Sequence, residues 1–404
     1  MNAIDTPNSL KGPAAGIGRS GLLAMAAASG IAVANIYYNQ PMLGLIEGEF
    51  SNSSVTGLIP TVTQLGYALG LFLLLPLGDI VDRRRLIIGQ FLVLAIALAV
   101  AAVSPSAMAL VVASFVVGAG STVAQQIVPF AASLVAPEKR GSTIGFVMAG
   151  VLSGILFSRT LSGFVGEHAG WRDMFWVGVP LALIASALMH VTLPHHRPAS
   201  RMAYGAAIRS LAHLWRREPA LRIAAFMQAA LFASFTAFWT ILALYLQSPD
   251  FDLGADVAGL FGIVGAVGVF AAPLAGRLAD RRGPAFVVWL GTAMTFAAWI
   301  IFGAWTSIVA LVIGVIVLDF GVQSSLVSNQ HVVYALDHAA RSRLNTIFMT
   351  AMFLGGAAGS ALASFAWGHA GWGGVSLVGA VLPLVAVAVR IFSRHPHGPA
   401  SGIH

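Results

Sequence analysis

The chain has 404 residues, 58% of them hydrophobic and only 9% charged, with a mean hydropathy of +0.85. A soluble domain carries about 25% charged residues, so a water-soluble globular fold is excluded and a polytopic membrane protein is implied. The absence of cysteine rules out disulfides and thiol chemistry. The net charge of +7 then concerns membrane orientation and anionic lipid, not nucleic acid.

Twelve apolar stretches are long enough to cross a bilayer at about 20 residues each. They run over 19–46, 55–79, 86–104, 107–135, 142–166, 173–193, 220–247, 256–279, 285–304, 306–335, 343–367 and 373–393. The short alternating segments of a membrane barrel are missing, and the internal Gly and Pro residues suit membrane helices that kink or approach closely. The fold class expected is therefore an all-α membrane protein of twelve helices. Lys and Arg set the orientation: 20 of the 22 fall on one side if both termini are cytoplasmic. The two exceptions are Arg172, at the opposite side, and Arg159, inside predicted helix 5.

Along the chain, helix 1 carries the polar run Asn35, Tyr38, Asn39 and Gln40. The loop after helix 2 reads Gly78-Asp79-Ile80-Val81-Asp82-Arg83-Arg84 and returns as Gly276-Arg277-Leu278-Ala279-Asp280-Arg281-Arg282, 198 residues later. The turn His168-Ala169-Gly170-Trp171 returns as His369-Ala370-Gly371-Trp372 after 201 residues. Landmarks at a nearly constant offset imply two six-helix bundles related by duplication. The division expected is 1–194, a linker at 195–218, and 219–404. The linker is polar and basic. Met202, Ile208, Leu211 and Trp215 can share one face of a short amphipathic helix, with Arg209, His213, Arg216 and Arg217 elsewhere; a flexible tether is the alternative.

Asp319 stands out in helix 10 as the only carboxylate far from any loop. A charge at mid-bilayer costs roughly 2.5–3.5 kcal/mol on insertion scales, which makes such a residue a functional candidate by default. At the repeat offset its counterpart is Gly118, and the counterpart of Arg159 is Ser360. Each half thus holds one buried charge that the other half lacks. The histidines form no metal site: His195 and His196 and the tail residues His395, His397 and His404 lie in loops, and no metal is expected. Without a phosphate-binding loop or any cofactor motif, an ion gradient or the substrate's own gradient must supply the energy.

The 6+6 arrangement and the G-x-x-x-D-R-[RK] loops after helices 2 and 8 resemble the major facilitator superfamily over nearly the whole chain. Ala34-Asn35-Ile36-Tyr37-Tyr38-Asn39-Gln40-Pro41, Gln64-Leu65-Gly66-Tyr67, Leu318-Asp319-Phe320-Gly321 and Ser328-Asn329-Gln330 are similar to the bacterial arabinose-efflux and purine-nucleoside-efflux branch, near the drug:proton antiporters. Two departures stand out. Ser114 takes the place of the helix 4 arginine of those antiporters, and Arg159 takes the proline position of their glycine-rich helix 5, where Gly145, Gly154 and Gly163 keep the spacing. The resemblance implies a cavity lined by helices 1, 4, 7 and 10. Its candidate residues are then Asn35, Tyr38, Asn39, Gln40, Gln125, Gln126, Gln228, Trp239 and Gln323, with Asp319 and Arg159 as the proton-coupling candidates. The alternative for any single amide is an interhelical hydrogen bond of about 0.6 kcal/mol.

The loop residues Gly78, Asp82, Arg83, Gly276, Asp280 and Arg281 are gating candidates. Asp82 and Asp280 are placed to meet the helix 11 and helix 5 N-termini of the opposite half, where a carboxylate gains about 0.3–1 kcal/mol. The function expected is a monomeric secondary transporter in a bacterial cytoplasmic membrane, exporting a small organic compound against protons. Uptake by symport or uniport is the alternative, because fold does not set direction. An enzyme is not expected, since no nucleophile–base pair or metal cluster lies at one depth.

Overall fold

The computed structural model describes residues 17–50, 53–195, 203–337 and 340–392. Lys11, His196, Arg197, Arg201, Met202, Arg394 and the tail histidines lie outside them.

Among the described residues, ten helices are long and apolar enough to cross a membrane. The last of these, Arg341–Phe392, is broken at Gly371 (φ 56°, ψ −150°) and makes two crossings. Arg19–Ala34, too short alone, is prolonged by Leu43–Glu49. Twelve crossings result, numbered here α1 (Arg19–Ala34 with Leu43–Glu49), α2 (Ile59–Leu77), α3 (Arg83–Ala102), α4 (Ala107–Ser133), α5 (Pro137–Ala169) and α6 (Trp171–Thr192). The second half has α7 (Pro219–Leu246), α8 (Ala255–Arg282), α9 (Pro284–Ala304), α10 (Ile308–Leu336), α11 (341–370) and α12 (372–392).

Three helices depart from the continuous spans expected. In α1 the segment 35–42 forms successive turns, with Tyr37 N–H bonded to Ala34 O and Gln40 N–H to Tyr37 O. Pro41 has no N–H to donate, and its ring disfavours a regular helix through the carbonyl four residues back, in keeping with the turns there. The break in α4 falls at Thr122, between Ala107–Ser121 and Val123–Ser133. In α8, a 3₁₀ stretch, Ala266–Phe270, separates Ala255–Gly265 from Ala271–Arg282. Such a stretch inside a helix often marks a hinge or strain.

The duplication is visible in contacts. In the first half α1 lies on α5, α2 on α4 and α3 on α6; in the second half α7 lies on α11, α8 on α10 and α9 on α12. Glycine allows the closest of these approaches. A Cβ at Gly154 would lie 2.2 Å from Gly30 O, and one at Gly355, its repeat equivalent, 2.2 Å from Ala229 O. The turns agree as well: Gly170 (φ 107°) and Gly371 (φ 56°) both hold the left-handed region that favours glycine. In each turn a histidine Nδ1 meets a carbonyl one helical turn back, His168 at Phe164 and His369 at Phe365. Gly355→Val is expected to lower Tm, by overpacking worth about 1–3 kcal/mol; calorimetry of the purified protein checks it.

The linker forms an amphipathic helix, Tyr204–Arg217, with Ala207, Leu211 and Leu214 buried. Ile208 and Trp215 pack on the core beside them. Tyr204 donates to Leu73 O in the first half and Arg217 pairs with Asp337 in the second, so this helix ties both halves at one end of the molecule, the linker end.

The halves meet along two seams, α5 with α8 and α2 with α11. Both seams are tight toward the far end, opposite the linker. A Cβ at Gly163 would stand 2.4 Å from Ala255 O and 2.9 Å from Gly259 Cα. Glu167 Oε2 accepts the Ala255 N–H across that seam at 2.8 Å. On the other seam Ser364 donates to Gly57 O (3.0 Å), Thr61 and Thr240 both donate to Ser360 (3.1 Å each), and Tyr67 meets Phe353 with ring centroids 4.2 Å apart. Toward the linker end, Gly141 and Gly145 on α5 and Gly276 on α8 have open space where a side chain would stand.

Candidate functional site

The two halves' buried charges come together where the α5–α8 seam meets the interrupted part of α1. Arg159, 4% exposed, extends from α5 between two rings: its Cζ lies 4.6 Å from the Tyr37 centroid and 3.9 Å from that of Trp239 on α7. Its Nε donates to Gln40 Oε1 at 3.1 Å. The break in α1 makes this possible, because the turns over 35–42 bring Tyr37 and Gln40 to the same guanidinium. Each desolvated cation–π contact contributes about 2 kcal/mol, which offsets part of the cost of holding an arginine away from water.

Asp319, 5% exposed, reaches the site from α10. It fits because α8 has no side chains there: a Cβ at Gly268 would be 2.9 Å from Asp319 Cβ, and one at Gly265 would be 3.4 Å from Asp319 Oδ2. The first half uses the equivalent crossing differently, with Gly118 and Gly66 placing α4 against the α2 backbone. The acid therefore occupies a helix crossing whose counterpart is closed by glycine.

Gly262, Gly265 and Gly268 recur every third residue along α8. Arg159 stands at the first, since a Cβ there would lie 2.9 Å from Arg159 Cβ, and Asp319 stands at the other two. The two residues thus meet α8 at different glycines, and no ion pair within 4.0 Å joins their side chains. Trp239 separates them. Its face carries the guanidinium, and its Cζ2 edge lies 3.0 Å from the Gly265 Cβ position, beside Asp319 Oδ2. Three buried polar atoms here have no hydrogen-bond partner in the protein: Arg159 Nη2, Trp239 Nε1 and Asp319 Oδ2.

Of the polar candidates read from the sequence, Gln40, Arg159, Trp239 and Asp319 are the ones brought together. The others lie elsewhere. Asn35 donates to Ile31 O in its own helix and turns its oxygen toward Gly178 of α6. Asn39 bonds Thr63 of α2, and Gln126 bonds Gln90 of α3, so both join helices within one half. Gln228 accepts from Asn329 between α7 and α10. Gln125 faces the Tyr67 hydroxyl, Tyr38 is buried, and Gln323 is half-buried. Tyr37 and the glycine row of α8 complete the site without having been singled out as site residues. The proline-broken turn and the three-residue glycine spacing were their only signals.

The gating candidates cluster at the linker end. Asp82 caps α3 through the Arg84 N–H (2.9 Å) and faces His195 at 3.5 Å, while Arg83 binds back to Gly78 O at 2.8 Å. Gly276 lies in the last turns of α8, and Asp280 and Arg281 beside it are exposed, with no ion pair to Asp280 among the described residues.

Two helical halves with a polar site at their seam define a membrane transport protein. The Major Facilitator Superfamily model matches residues 25–340, and the chain belongs to that family. It is 40% identical over 371 residues to the "Uncharacterized transporter YgaY" of Escherichia coli O157:H7, covering 91% of this chain and 94% of that one. It is 27% identical over 364 residues to a chloramphenicol resistance protein of Streptomyces lividans, covering 87% and 90%. Its fold is similar, with a TM-score of 0.74 at 15% identity, to the crystal structure of a bacterial homologue of the human lysosomal transporter Spinster in an inward-facing, unoccupied conformation; 92% of this chain and 95% of that one are covered. The chain is accordingly a multi-pass membrane transporter.

Proposed function

We propose that this transporter exports a small organic compound across the bacterial cytoplasmic membrane in exchange for protons, by alternating access. The observation that carries the reading is the placement of one acid and one base on opposite halves. Both are buried at a seam that must open and close, and they are unpaired in the state with the far end shut. With the linker end taken as cytoplasmic from its Lys and Arg residues, that state is inward-facing, the word attached to the Spinster homologue. The likeness to a chloramphenicol resistance protein favours export.

In this scheme Asp319 takes up and releases a proton as access alternates, and meets Arg159 only when the far end opens. Substrate and proton compete for the carboxylate, so one leaves as the other binds. The proton gradient is the energy source, and no cofactor takes part. Asp82 and Asp280 close the linker end against the opposite half's helix N-termini in the outward-facing state.

The test is flux in pyranine-loaded proteoliposomes under an imposed pH gradient, with chloramphenicol and a library of small organic compounds as probes. Asp319→Asn is expected to abolish compound-dependent proton movement while compound exchange continues. Undiminished proton-driven flux in that variant, or wild-type transport indifferent to the pH gradient, overturns the reading.

A further inference from the structure

Away from the charged site, the linker end carries a crevice of about 390 Å³ between α1 and α5, lined by Arg19, Leu22, Leu23, Ser142, Thr143 and Phe146. Pockets that hold small ligands span roughly 300–1,000 Å³. Gly21 marks the end of the molecule concerned, since a Cβ there would stand 3.1 Å from Thr192 Cγ2, where α6 enters the linker. The crevice opens on the bilayer side of α5. Phe146, Phe157 and Phe164 recur on one face of that helix and are 44%, 66% and 57% exposed. Arg159 lies about 140° around the helix from Phe146 at 3.6 residues per turn. A charge in a membrane helix faces the bundle interior, so the exposed phenylalanine row on the other side faces lipid.

The lining is layered by depth. Arg19 is exposed in the first turn of α1 and has no ion pair within 4.0 Å among the described residues. Ser142 Oγ donates to Lys139 O at 3.0 Å, so the α5 rim of the crevice adjoins the exposed Lys139 and Arg140. Glu138 is the one acid of that run. Leu22, Leu23 and Phe146 follow about one helical turn further into the membrane. Charge at the rim and apolar surface below it repeat the order of a lipid molecule in its own leaflet. Basic pockets between helices on the cytoplasmic side suit anionic headgroups.

We propose that this crevice binds an anionic phospholipid, its phosphate on Arg19 and Ser142 and an acyl chain along Leu22, Leu23 and Phe146. A zwitterionic headgroup brings an ammonium up to the same cations and is disfavoured. A free anion gains nothing from the apolar surface beneath the rim. The lipid lies between the two helices that jointly hold the buried guanidinium, α1 through Tyr37 and Gln40 and α5 through Arg159 itself. Its binding does not depend on the direction of transport or on the driving ion.

Quenching by brominated lipid tests the inference. The chain contains no cysteine, so Ala27→Cys, exposed one turn beyond Leu23 on α1, takes a single bimane label. The labelled protein is placed in phosphatidylcholine nanodiscs containing a minor share of dibrominated phosphatidylglycerol or dibrominated phosphatidylcholine. Phosphatidylglycerol is expected to quench roughly fivefold more effectively per lipid, the weight of one basic residue near the surface. Arg19→Gln should erase that preference and Arg19→Lys keep it. Unbrominated phosphatidylglycerol should relieve the quenching, and free glycerol 3-phosphate at equal concentration should not. A label at Val191→Cys, exposed on α6 at the same end, should be quenched alike by both lipids. The inference is overturned if the two lipids quench Ala27→Cys alike, or if Arg19→Gln keeps the preference. It is overturned equally if Val191→Cys shows the same preference, which makes it a property of the whole surface, or if the free anion relieves the quenching as well as the lipid does.

Discussion

Gly163→Leu is expected to abolish transport in a chain that still folds, by holding the far end open. The atoms that a side chain would meet there, Ala255 O at 2.4 Å and Gly259 Cα at 2.9 Å, are backbone atoms of the other half. No rotamer change can move them. Non-bonded heavy atoms settle near 3.5–4.0 Å, so even the first added carbon forces α5 and α8 apart by about 1 Å, and leucine by more. The glycine also faces across the seam rather than into its own half, so the first bundle can fold around the substitution. Glu167→Ala should act in the same direction more weakly, because it removes the carboxylate that accepts the Ala255 N–H at the start of α8. The chain contains no cysteine, so spin labels can be placed at the far ends of α5 and α8 without background. The expected result is a distance distribution moved wholly to longer values for Gly163→Leu, partly for Glu167→Ala, with flux at background in the first and Tm within a few degrees of the parent. Unchanged distances and normal flux in Gly163→Leu would remove the seam from the transport cycle.

The two seams are unequal copies of one design. Ser360, the equivalent of Arg159, receives hydrogen bonds from Thr61 of the opposite half and Thr240 of its own. At the same place on the other seam, the guanidinium lies between Tyr37 and Trp239. A hydroxyl cluster can remake its short bonds with water when the halves part. A guanidinium between two rings has one ring on each half, so separation of the halves takes one of them away. The seam with the charge is therefore the one whose energy changes most on opening, and it is the seam that faces Asp319.

Much of this was legible in the sequence because the bilayer imposes it. A twenty-residue apolar run has few alternatives to a helix, and the loops Gly78–Arg84 and Gly276–Arg282 gave the duplication directly. Asp319 and Arg159 declared themselves as charges in the wrong solvent. The direction in which each amide points was not legible. In a helix that is apolar all round, no polar stripe distinguishes the face toward a cavity from the face toward a neighbouring helix. Asn35, Asn39 and Gln126 accordingly bind within their own half, while Gln40 alone of the helix 1 amides reaches Arg159. Tyr37 was hidden for a related reason: a continuous helix through 19–46 gives it no reason to meet the guanidinium, and the turns over 35–42 do so. The glycines of α8 look like packing residues until Asp319 is seen to need the room they leave.

Neutralising both buried charges is expected to shift the balance of states no further than neutralising one. In the state with the far end shut, Arg159 and Asp319 do not pair, and the guanidinium has Gln40 and two rings for company. If they pair only when the far end is open, Asp319→Asn and Arg159→Gln each remove a stabilisation that belongs to the open state alone. The charge that remains is buried without its partner in both states, so it does not alter the balance between them. A ligand or contact shifts an equilibrium only by its difference between the two states. Each single variant should therefore favour the shut far end by tenfold or more, measured from spin-label distances in nanodiscs. The double variant loses the same pair, so its shift should be about that of either single change, with a coupling of about 0.5–3 kcal/mol in the cycle. Additive shifts would mean that the two residues never meet. In that case each acts independently of the other: Arg159 as the cation between a ring of each half, and Asp319 as an acid seated against the glycines of α8.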